Sequence, residues 1–352
     1  MLKLLLVISM FASILSAQMY QSVPKQKAKL LQKGDSKLYC TSCGMNLVMF
    51  YKTSHALSKH HQTHQYCSLH CLVSDNKNTD LDHAKVVDAK TLKFIDAKDA
   101  HYVIGSKKPG TMTKNSKYAF LSEDDAKAFA KANGGKIVGF KEAVEIAYSD
   151  LKKDNMMIEK KRTMASKKGA MMYEKLCNSA KVPEFHSYSQ AKTYIVSNNI
   201  CGKIKDKQAQ AIAIFLVKKN LPSNQKAIDV PKDAKCPVCG MFVAKYPKWA
   251  AQMITKENKT HYFDGIKDLM KFYFDAKEKA DKILVTDYYK IVAIDAKKAW
   301  YVTGSNVYGP MGNELIAFST KEDAQSFKKD HFGEKILSFD EITPQIVFKL
   351  RH

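Results

Sequence analysis

The sequence lacks the local motifs on which most enzymes depend. It contains no nucleophile elbow, no phosphate-binding glycine loop and no pair of carboxylates spaced for acid–base catalysis. No segment after residue 17 is long and apolar enough to predict a membrane span. These absences argue against hydrolases, nucleotide-dependent enzymes and multi-span membrane proteins, and we predict that the chain is not an enzyme.

The first residues have the layout of a secretory signal peptide. Lys3 supplies a positive charge, residues 4–15 are almost all apolar, and residues 16–17 are small. We therefore predict a signal peptide over residues 1–17 and a periplasmic location. Leu15 is bulky where a small residue is preferred for cleavage, and an uncleaved segment would act as a membrane anchor.

Basic residues outnumber acidic ones, and the formal net charge is +22. In an exported protein this excess favours an anionic membrane surface or an acidic protein partner. The lysines are scattered along the chain, so no nucleic-acid partner is predicted. A chain of 352 residues with 45% hydrophobic residues is expected to fold into two or three globular domains.

The eight cysteines are unevenly distributed. Six of them form three close pairs, namely Cys40/Cys43, Cys67/Cys71 and Cys236/Cys239. This spacing is typical of metal ligands or redox pairs. Cys177 and Cys201 stand apart from the pairs and are the best candidates for a structural disulfide.

An internal repeat organises the chain. Residues 40–150 resemble residues 236–350, with offsets between 196 and 199 along the whole length. Cys-Thr-Ser-Cys-Gly-Met at position 40 corresponds to Cys-Pro-Val-Cys-Gly-Met at position 236, and Met112 corresponds to Met311. A register kept over this length is the signature of a duplicated structural unit.

Each copy is predicted to be a small α+β lobe of mainly antiparallel sheet with packed helices. In the second copy the pattern predicts strands at 250–255, 259–263, 291–294 and 300–303, and helices at 264–275 and 321–329. The predicted organisation is a first lobe over 36–150, a helical linker over 151–231, which we call the middle module, and a second lobe over 232–352.

The second lobe carries a set of soft-metal ligands. Cys236 and Cys239 lie on a turn, and Met241 follows directly. Met311 lies on a glycine-flanked loop, and His261 lies on the neighbouring hairpin. Thioether sulfur adds affinity only for soft ions, so these five residues predict a Cu(I) site. Packing in the core is an equal alternative for Met241.

The first lobe differs because Cys67 stands where the second lobe has Asp264. The four paired cysteines of this lobe have the ligand spacing of a treble-clef knuckle, which suits structural zinc. Met45, His70 and Met112 nearby favour Cu(I) instead. Unequal sites predict either transfer of metal between the lobes or one structural and one cargo site.

The middle module is similar to a small c-type cytochrome domain at residues 169–177 and 204–212. The haem-attachment motif Cys-x-x-Cys-His is absent, because Cys177 is followed by Asn178, Ser179 and Ala180. The resemblance implies a degenerate helical module without covalent haem.

Together, Cys-x-x-Cys-Gly-Met, Ile294-Asp-Ala, Trp300-Tyr-Val and Gly309-Pro-Met-Gly resemble the NosL family of nitrous-oxide reductase accessory proteins. The resemblance implies a periplasmic Cu(I) metallochaperone that supplies copper to nitrous-oxide reductase. It carries the metal-site role onto one or both cysteines of the Cys-x-x-Cys-Gly-Met motif and onto two methionines of each lobe: Cys236, Cys239, Met241 and Met311, and Cys40, Cys43, Met45 and Met112.

Two departures from the family pattern leave other functions open. Family members are typically single-lobed lipoproteins, and the Tyr66-Cys67-Ser68 segment resembles heavy-metal-binding domains instead. The alternatives are a structural-zinc adaptor and, with less support, a thiol–disulfide oxidoreductase. Neither Cys-x-x-Cys pair is predicted to open a long helix after a strand, the setting that lowers a thiol pKa in such enzymes.

Overall fold

The computed structural model describes residues 19–77, 80–178, 182–219, 227–275 and 279–350. The predicted signal segment lies outside the described residues. Within the described ranges, no helix has the combined length and hydrophobicity of a membrane span.

The first lobe is built from two small antiparallel sheets with helices against them. One sheet has the order β2-β1-β3-β4 and the other the order β6-β5-β7. The strands are β1 (His55–Lys59), β2 (Gln62–Tyr66), β3 (Lys85–Val87), β4 (Phe94–Asp96), β5 (His101–Ile104), β6 (Lys117–Phe120) and β7 (Lys136–Val138). The helices are α1 (Leu69–Asp75) and α2 (Glu123–Asn133).

The second lobe repeats this order of elements. Its sheets have the orders β9-β8-β10-β11 and β13-β12-β14. The strands are β8 (Ala251–Thr255), β9 (Thr260–Phe263), β10 (Ala280–Thr286), β11 (Ala293–Asp295), β12 (Trp300–Thr303), β13 (Ile316–Phe318) and β14 (Lys335–Leu337). The helices are α6 (Ile266–Asp275), α7 (Lys321–Asp330) and α8 (Pro344–Lys349).

The predicted α+β class with two repeated lobes is confirmed, and the local causes are visible in the equivalent helices α2 and α7. The Ser122 hydroxyl accepts a hydrogen bond from the Asp125 amide, and Thr320 accepts one from Asp323. Such N-caps satisfy amides that the helix leaves unpaired. Ala324 and Phe327 of α7 are buried, as their spacing predicts.

Two strands of the second lobe differ from the prediction. β10 was not predicted, although it lies between β8 and β11 in the sheet. The strand expected at 291–294 begins at Ala293, because Ile291 has φ of +56° in a turn closed by its amide bonding to the Asp287 carbonyl. A left-handed residue cannot continue an extended strand.

The middle module contains α4 (Tyr188–Ser197), α5 (Asp206–Lys219) and the C-terminal part of α3 (Phe140–Leu176). Helix α3 is 37 residues long and begins in the first lobe, so it crosses position 151, where the linker was expected to start. The predicted disulfide between Cys177 and Cys201 is confirmed, and it joins the end of α3 to the segment after α4.

Polar contacts hold the three parts together. Gln190 of α4 donates to the Asp330 carboxylate of the second lobe over 3.2 Å. The Asn306 side chain of the second lobe donates to the Asn76 side chain of the first over 2.7 Å. The ring of His64 stacks on Phe332 with centroids 3.8 Å apart. The lobes therefore contact each other directly as well as through the middle module.

Replacing Cys177 with Ser should lower the free energy of unfolding by about 3 kcal/mol, the value expected for opening a loop of 24 residues. Chemical denaturation measures this loss, and Cys201→Ser should cause the same loss because it breaks the same bond. The number of metal ions bound per chain should not change. A lower metal stoichiometry in either variant would contradict a purely structural role.

Acid should weaken the fold through His55. Its ring is buried between the Thr53 carbonyl and the Tyr102 hydroxyl, and burial lowers the pKa of His55 from 6.5 to about 4. The unfolded chain binds this proton more readily, so the contribution of His55 is complete above pH 6.5 and is lost as the pH falls towards 4.

We expect His55 to account for about 2 kcal/mol of lost stability between pH 7 and pH 5. In His55→Gln the unfolding free energy should depend less steeply on pH in this window, as measured by denaturation of the metal-free protein. His83→Gln, which replaces an exposed histidine, is the control and should keep the wild-type slope. Equal slopes in all three proteins would refute the assignment.

Candidate metal centres

Each lobe opens with the same tight turn, which we call the knuckle: residues 40–45 in the first lobe and 236–241 in the second. The amide of the first cysteine donates to the methionine carbonyl, over 2.8 Å from Cys40 and 2.9 Å from Cys236. Gly44 and Gly240 have φ of +73° and +77°. Only glycine adopts this conformation freely, which explains the Cys-x-x-Cys-Gly pattern.

The first-lobe cluster consists of four buried thiols. Cys40 and Cys43 come from the knuckle, Cys67 precedes α1, and Cys71 lies in the first turn of α1. Their sulfur atoms all lie within 4.8 Å of one another. The Cys67 sulfur is 3.5 Å from that of Cys43 and 3.7 Å from that of Cys71. The helix begins here because the Ser68 hydroxyl accepts a hydrogen bond from the Cys71 amide.

The second-lobe cluster occupies the equivalent place but has a mixed composition. Cys236 and Cys239 from the knuckle face Asp264 and Asp268, and the four ligand atoms lie within 4.8 Å of one another. The Cys239 thiol donates to the Asp264 carboxylate over 3.1 Å, and the Cys236 thiol to Asp268 over 3.5 Å. Cys239 is half-buried, whereas the other three residues are buried.

Electrostatics differ between the clusters. Hydrogen bonds from Cys40 and the other thiols hold the pKa of Cys43 well below its usual range, while burial raises the pKa of Cys67. In the second lobe burial raises the pKa of Cys236 to about 11 and raises that of Cys239 as well. The first cluster therefore favours a thiolate at Cys43 beside a protonated Cys67, and the second keeps its thiols protonated beside carboxylates.

Both clusters meet the chemical requirements of a metal centre. Four thiolates in a closed, buried group are the ligand set of structural zinc and also suit soft ions. Two thiolates with two carboxylates form a harder set, with one ligand near the surface. Among the described residues these are the groups of three or more His, Cys, Asp or Glu with ligand atoms close enough to share an ion.

The other predicted ligands of the first lobe lie outside its four-thiol group. His70 is buried on α1, and its Nδ1 lies 3.6 Å from the Asp154 carboxylate of α3. Met45 and Met112 are half-buried and pack against the core of the lobe. They line one cavity together with Cys43.

The other predicted ligands of the second lobe are also outside its group. His261 packs on Phe272 with ring centroids 4.7 Å apart. Met241 is the half-buried last residue of the knuckle, and Met311 is 47% exposed. The Met311 backbone is held by the Lys267 ammonium, which donates to its carbonyl over 2.6 Å, so its thioether extends from a fixed turn.

Asp264 and Asp268 are candidate ligands that the sequence analysis did not assign. The repeat contains the signal: Cys67 and Cys71 plus 197 positions give Asp264 and Asp268. The equivalence of Cys67 and Asp264 is visible in the repeat, but the carboxylates were not assigned as ligands because Cu(I) prefers sulfur. Only the fold shows that both pairs flank the first turn of an equivalent helix.

The arrangement defines a class: a two-lobed protein in which each lobe has a four-residue cluster formed by the two knuckle cysteines and two residues at the start of the next helix. The sequence model of the NosL family matches residues 32–148 and 227–347, which is more than half of the chain. The chain belongs to the NosL family, with two tandem family units.

Individual relatives match about a third of the chain. The copper-binding lipoprotein NosL of Stutzerimonas stutzeri is 28% identical over 118 residues, which cover 31% of this chain and 61% of that relative. This chain thus spans less than two thirds of the length of that curated relative.

Two solved structures are similar in sequence to part of the chain. The crystal structure of the copper chaperone NosL from Shewanella denitrificans is 30% identical, covers 35% of this chain and 98% of its own, and has a TM-score of 0.32. The solution structure of apo-NosL from Achromobacter cycloclastes is 25% identical, covers 28% of this chain and 87% of its own, and has a TM-score of 0.24.

Removing one ligand from each cluster should affect separate ions. Cys71→Ser and Asp268→Asn should each weaken Zn(II) binding by roughly ten-fold or more at one site only, because even outer-shell partners contribute that much. Competition with a Zn(II) chelator measures the two affinities. Asp281→Asn, at an exposed position on β10, is the control for Asp268 and should leave both unchanged. Equal weakening at both sites by one substitution would contradict independent clusters.

Proposed function

We propose that this protein is a periplasmic, non-enzymatic copper-binding protein that carries Cu(I) and delivers it to an acceptor protein. Membership of the NosL family supports copper as the cargo, since one relative is described as a copper-binding lipoprotein and another as a copper chaperone. Nitrous-oxide reductase is the acceptor that the family resemblance implies. The positive charge of the chain suits an acidic docking surface or an anionic membrane.

The observation that carries this proposal is the inequality of two equivalent clusters. The first is closed: its four cysteines are buried and all contribute sulfur. The second is partly open, because Cys239 reaches the surface. A closed tetrahedral thiolate site stabilises a fold and exchanges slowly, whereas transfer of a cargo ion needs a ligand that an acceptor can reach. We therefore assign a structural Zn(II) role to the first cluster and a cargo role to the second lobe.

Cu(I) in the second lobe would be held by sulfur. Cys236 and Cys239 supply two thiolates. Met241 at the end of the knuckle and Met311 on an exposed turn supply thioethers. Asp264 and Asp268 favour a harder ion, so a comparison of Cu(I) with Zn(II) is informative. His261 packs on Phe272 and is the least supported of the predicted ligands.

Thiol–disulfide exchange has less support. An attacking cysteine must be an accessible thiolate. Burial raises the pKa of Cys236 to about 11, and Cys43, whose pKa is lowered, is buried. The zinc-adaptor alternative draws on the first cluster alone, since four buried thiols are sufficient for it.

Anaerobic titration of the metal-free protein with Cu(I) against a competing chelator tests the proposal. We expect Cys239→Ser and Met311→Ala to weaken Cu(I) binding by roughly ten-fold or more. Met171→Ala, which removes a methionine that is 57% exposed on α3, should bind as the wild type does.

A parallel titration with Zn(II) separates the alternatives. Retention of one Zn(II) by the Cys239→Ser variant agrees with a separate structural site in the first lobe. Cu(I) binding by the wild type that is no tighter than adventitious binding, with Zn(II) still bound by the first lobe, would replace the copper carrier with the zinc adaptor.

A further inference from the structure

A cavity of about 450 Å³ lies between the first lobe and the middle module. Three methionines from three separate segments line it: Met45 from the knuckle, Met112 from the loop before β6, and Met157 from α3. Met157 belongs to the part of α3 beyond the family unit, which ends at residue 148. The middle module therefore adds a thioether to the two methionines of the family unit.

The position of Met157 is selective. It is half-buried, whereas the adjacent Met156 is 70% exposed on the same helix. Met164 and Met171, further along α3, are also exposed. The three exposed methionines are explained by the Met-rich composition of this helix. Met157 differs from them because it lines a cavity together with two other methionines.

The backbone around the cavity is fixed by the middle module. Lys192 of α4 is buried and donates to the Gly44 carbonyl over 3.2 Å, and Gln210 of α5 donates to the Cys43 carbonyl over 2.9 Å. A Cβ at Gly44 would lie 2.9 Å from the Tyr188 side chain, so the knuckle is pressed against α4. The flexible thioethers thus extend from a rigid frame.

The second lobe has no such cover at its knuckle. A Cβ at the equivalent Gly240 would have no atom within 4 Å in the described part of the chain. The two knuckles share a conformation, but within the described residues a helical layer packs on the glycine of the first knuckle and not on that of the second. The cavity is therefore formed where the first lobe meets the middle module, and the repeated unit alone does not form it.

The lining excludes hard cations. Among the described residues that line the cavity there is no Asp, Glu or His, while Lys114, Lys161 and Arg162 add positive charge. A divalent ion of the Mg²⁺ or Ca²⁺ type requires oxygen ligands with negative charge. Cu(I) accepts neutral thioethers as ligands, and its single charge is repelled less by these basic residues than the charge of a divalent ion would be. The Cys43 sulfur is already 3.5 Å from Cys67 within the four-thiol cluster.

We propose that Met157 joins Met45 and Met112, the two methionines that the family resemblance already assigns to metal binding, in a thioether Cu(I) site at the junction of the first lobe and the middle module, separate from the four-thiol cluster. Met157 is the ligand that the middle module supplies. This inference rests on the proposed function only in taking Cu(I) as the ion that the protein carries. It gives the first lobe a cargo site beside a structural one.

The test uses the full chain with Cys239→Ser and Met311→Ala to disable the second lobe, and with the first cluster loaded with Zn(II). Cu(I) affinity is measured by chelator competition, and the methionine methyl groups, labelled with carbon-13, are followed by NMR. Adding Met157→Leu should weaken Cu(I) binding by roughly ten-fold or more. The substitution nearly conserves volume, so the fold should be kept.

The control is Met156→Leu in the same background, which should bind Cu(I) as its parent does. One equivalent of Cu(I) should shift the methyl signals of Met45, Met112 and Met157 together. Unchanged affinity in Met157→Leu, with a wild-type chain that binds Cu(I), would overturn the junction site and leave the proposed function intact. A wild-type chain that takes up no Cu(I) would overturn the proposed function itself.

Discussion

The knuckle turn is the constraint on which the two candidate centres depend. Two backbone hydrogen bonds and one left-handed glycine place both cysteines of each pair on the same side of the turn. The β-hairpin and the following helix then bring the second pair of ligand positions to that side. Because the turn is closed by main-chain groups, it forms whatever the other two ligands are. The same turn therefore occurs with four thiols in one lobe and with two thiols and two carboxylates in the other.

That divergence changes the chemistry more than the fold. Thiolates at Cys67 and Cys71 complete a buried sulfur group, while carboxylates at Asp264 and Asp268 make a harder and more polar one. Each buried aspartate accepts one hydrogen bond from a knuckle thiol, whereas the second oxygen of Asp264 has no hydrogen-bond partner among the described residues. A duplicated scaffold can thus present two ligand sets of different character in one chain.

The middle module is more than a spacer. It caps the first knuckle through Lys192 and Gln210, and it contacts the second lobe through Gln190. Lys192 is buried, and its ammonium is balanced by the Asp206 carboxylate 3.0 Å away. A buried charge with a partner fixes one arrangement of the elements that hold it, since any slip would leave it unpaired. The first knuckle is therefore tied to α4 and α5, whereas the second knuckle is not.

The sequence by itself determined the repeat, the α+β class, the family, the Cys177–Cys201 disulfide and the cysteine pairs, because these depend on spacing and periodicity along the chain. It did not predict Asp264 and Asp268 as partners of Cys236 and Cys239, nor Met157 as a neighbour of Met45 and Met112. It placed the start of the linker within what is a continuous helix, α3. These features were decided by the tertiary structure, because they join segments that lie far apart in sequence, and the side chains that meet there follow no local pattern.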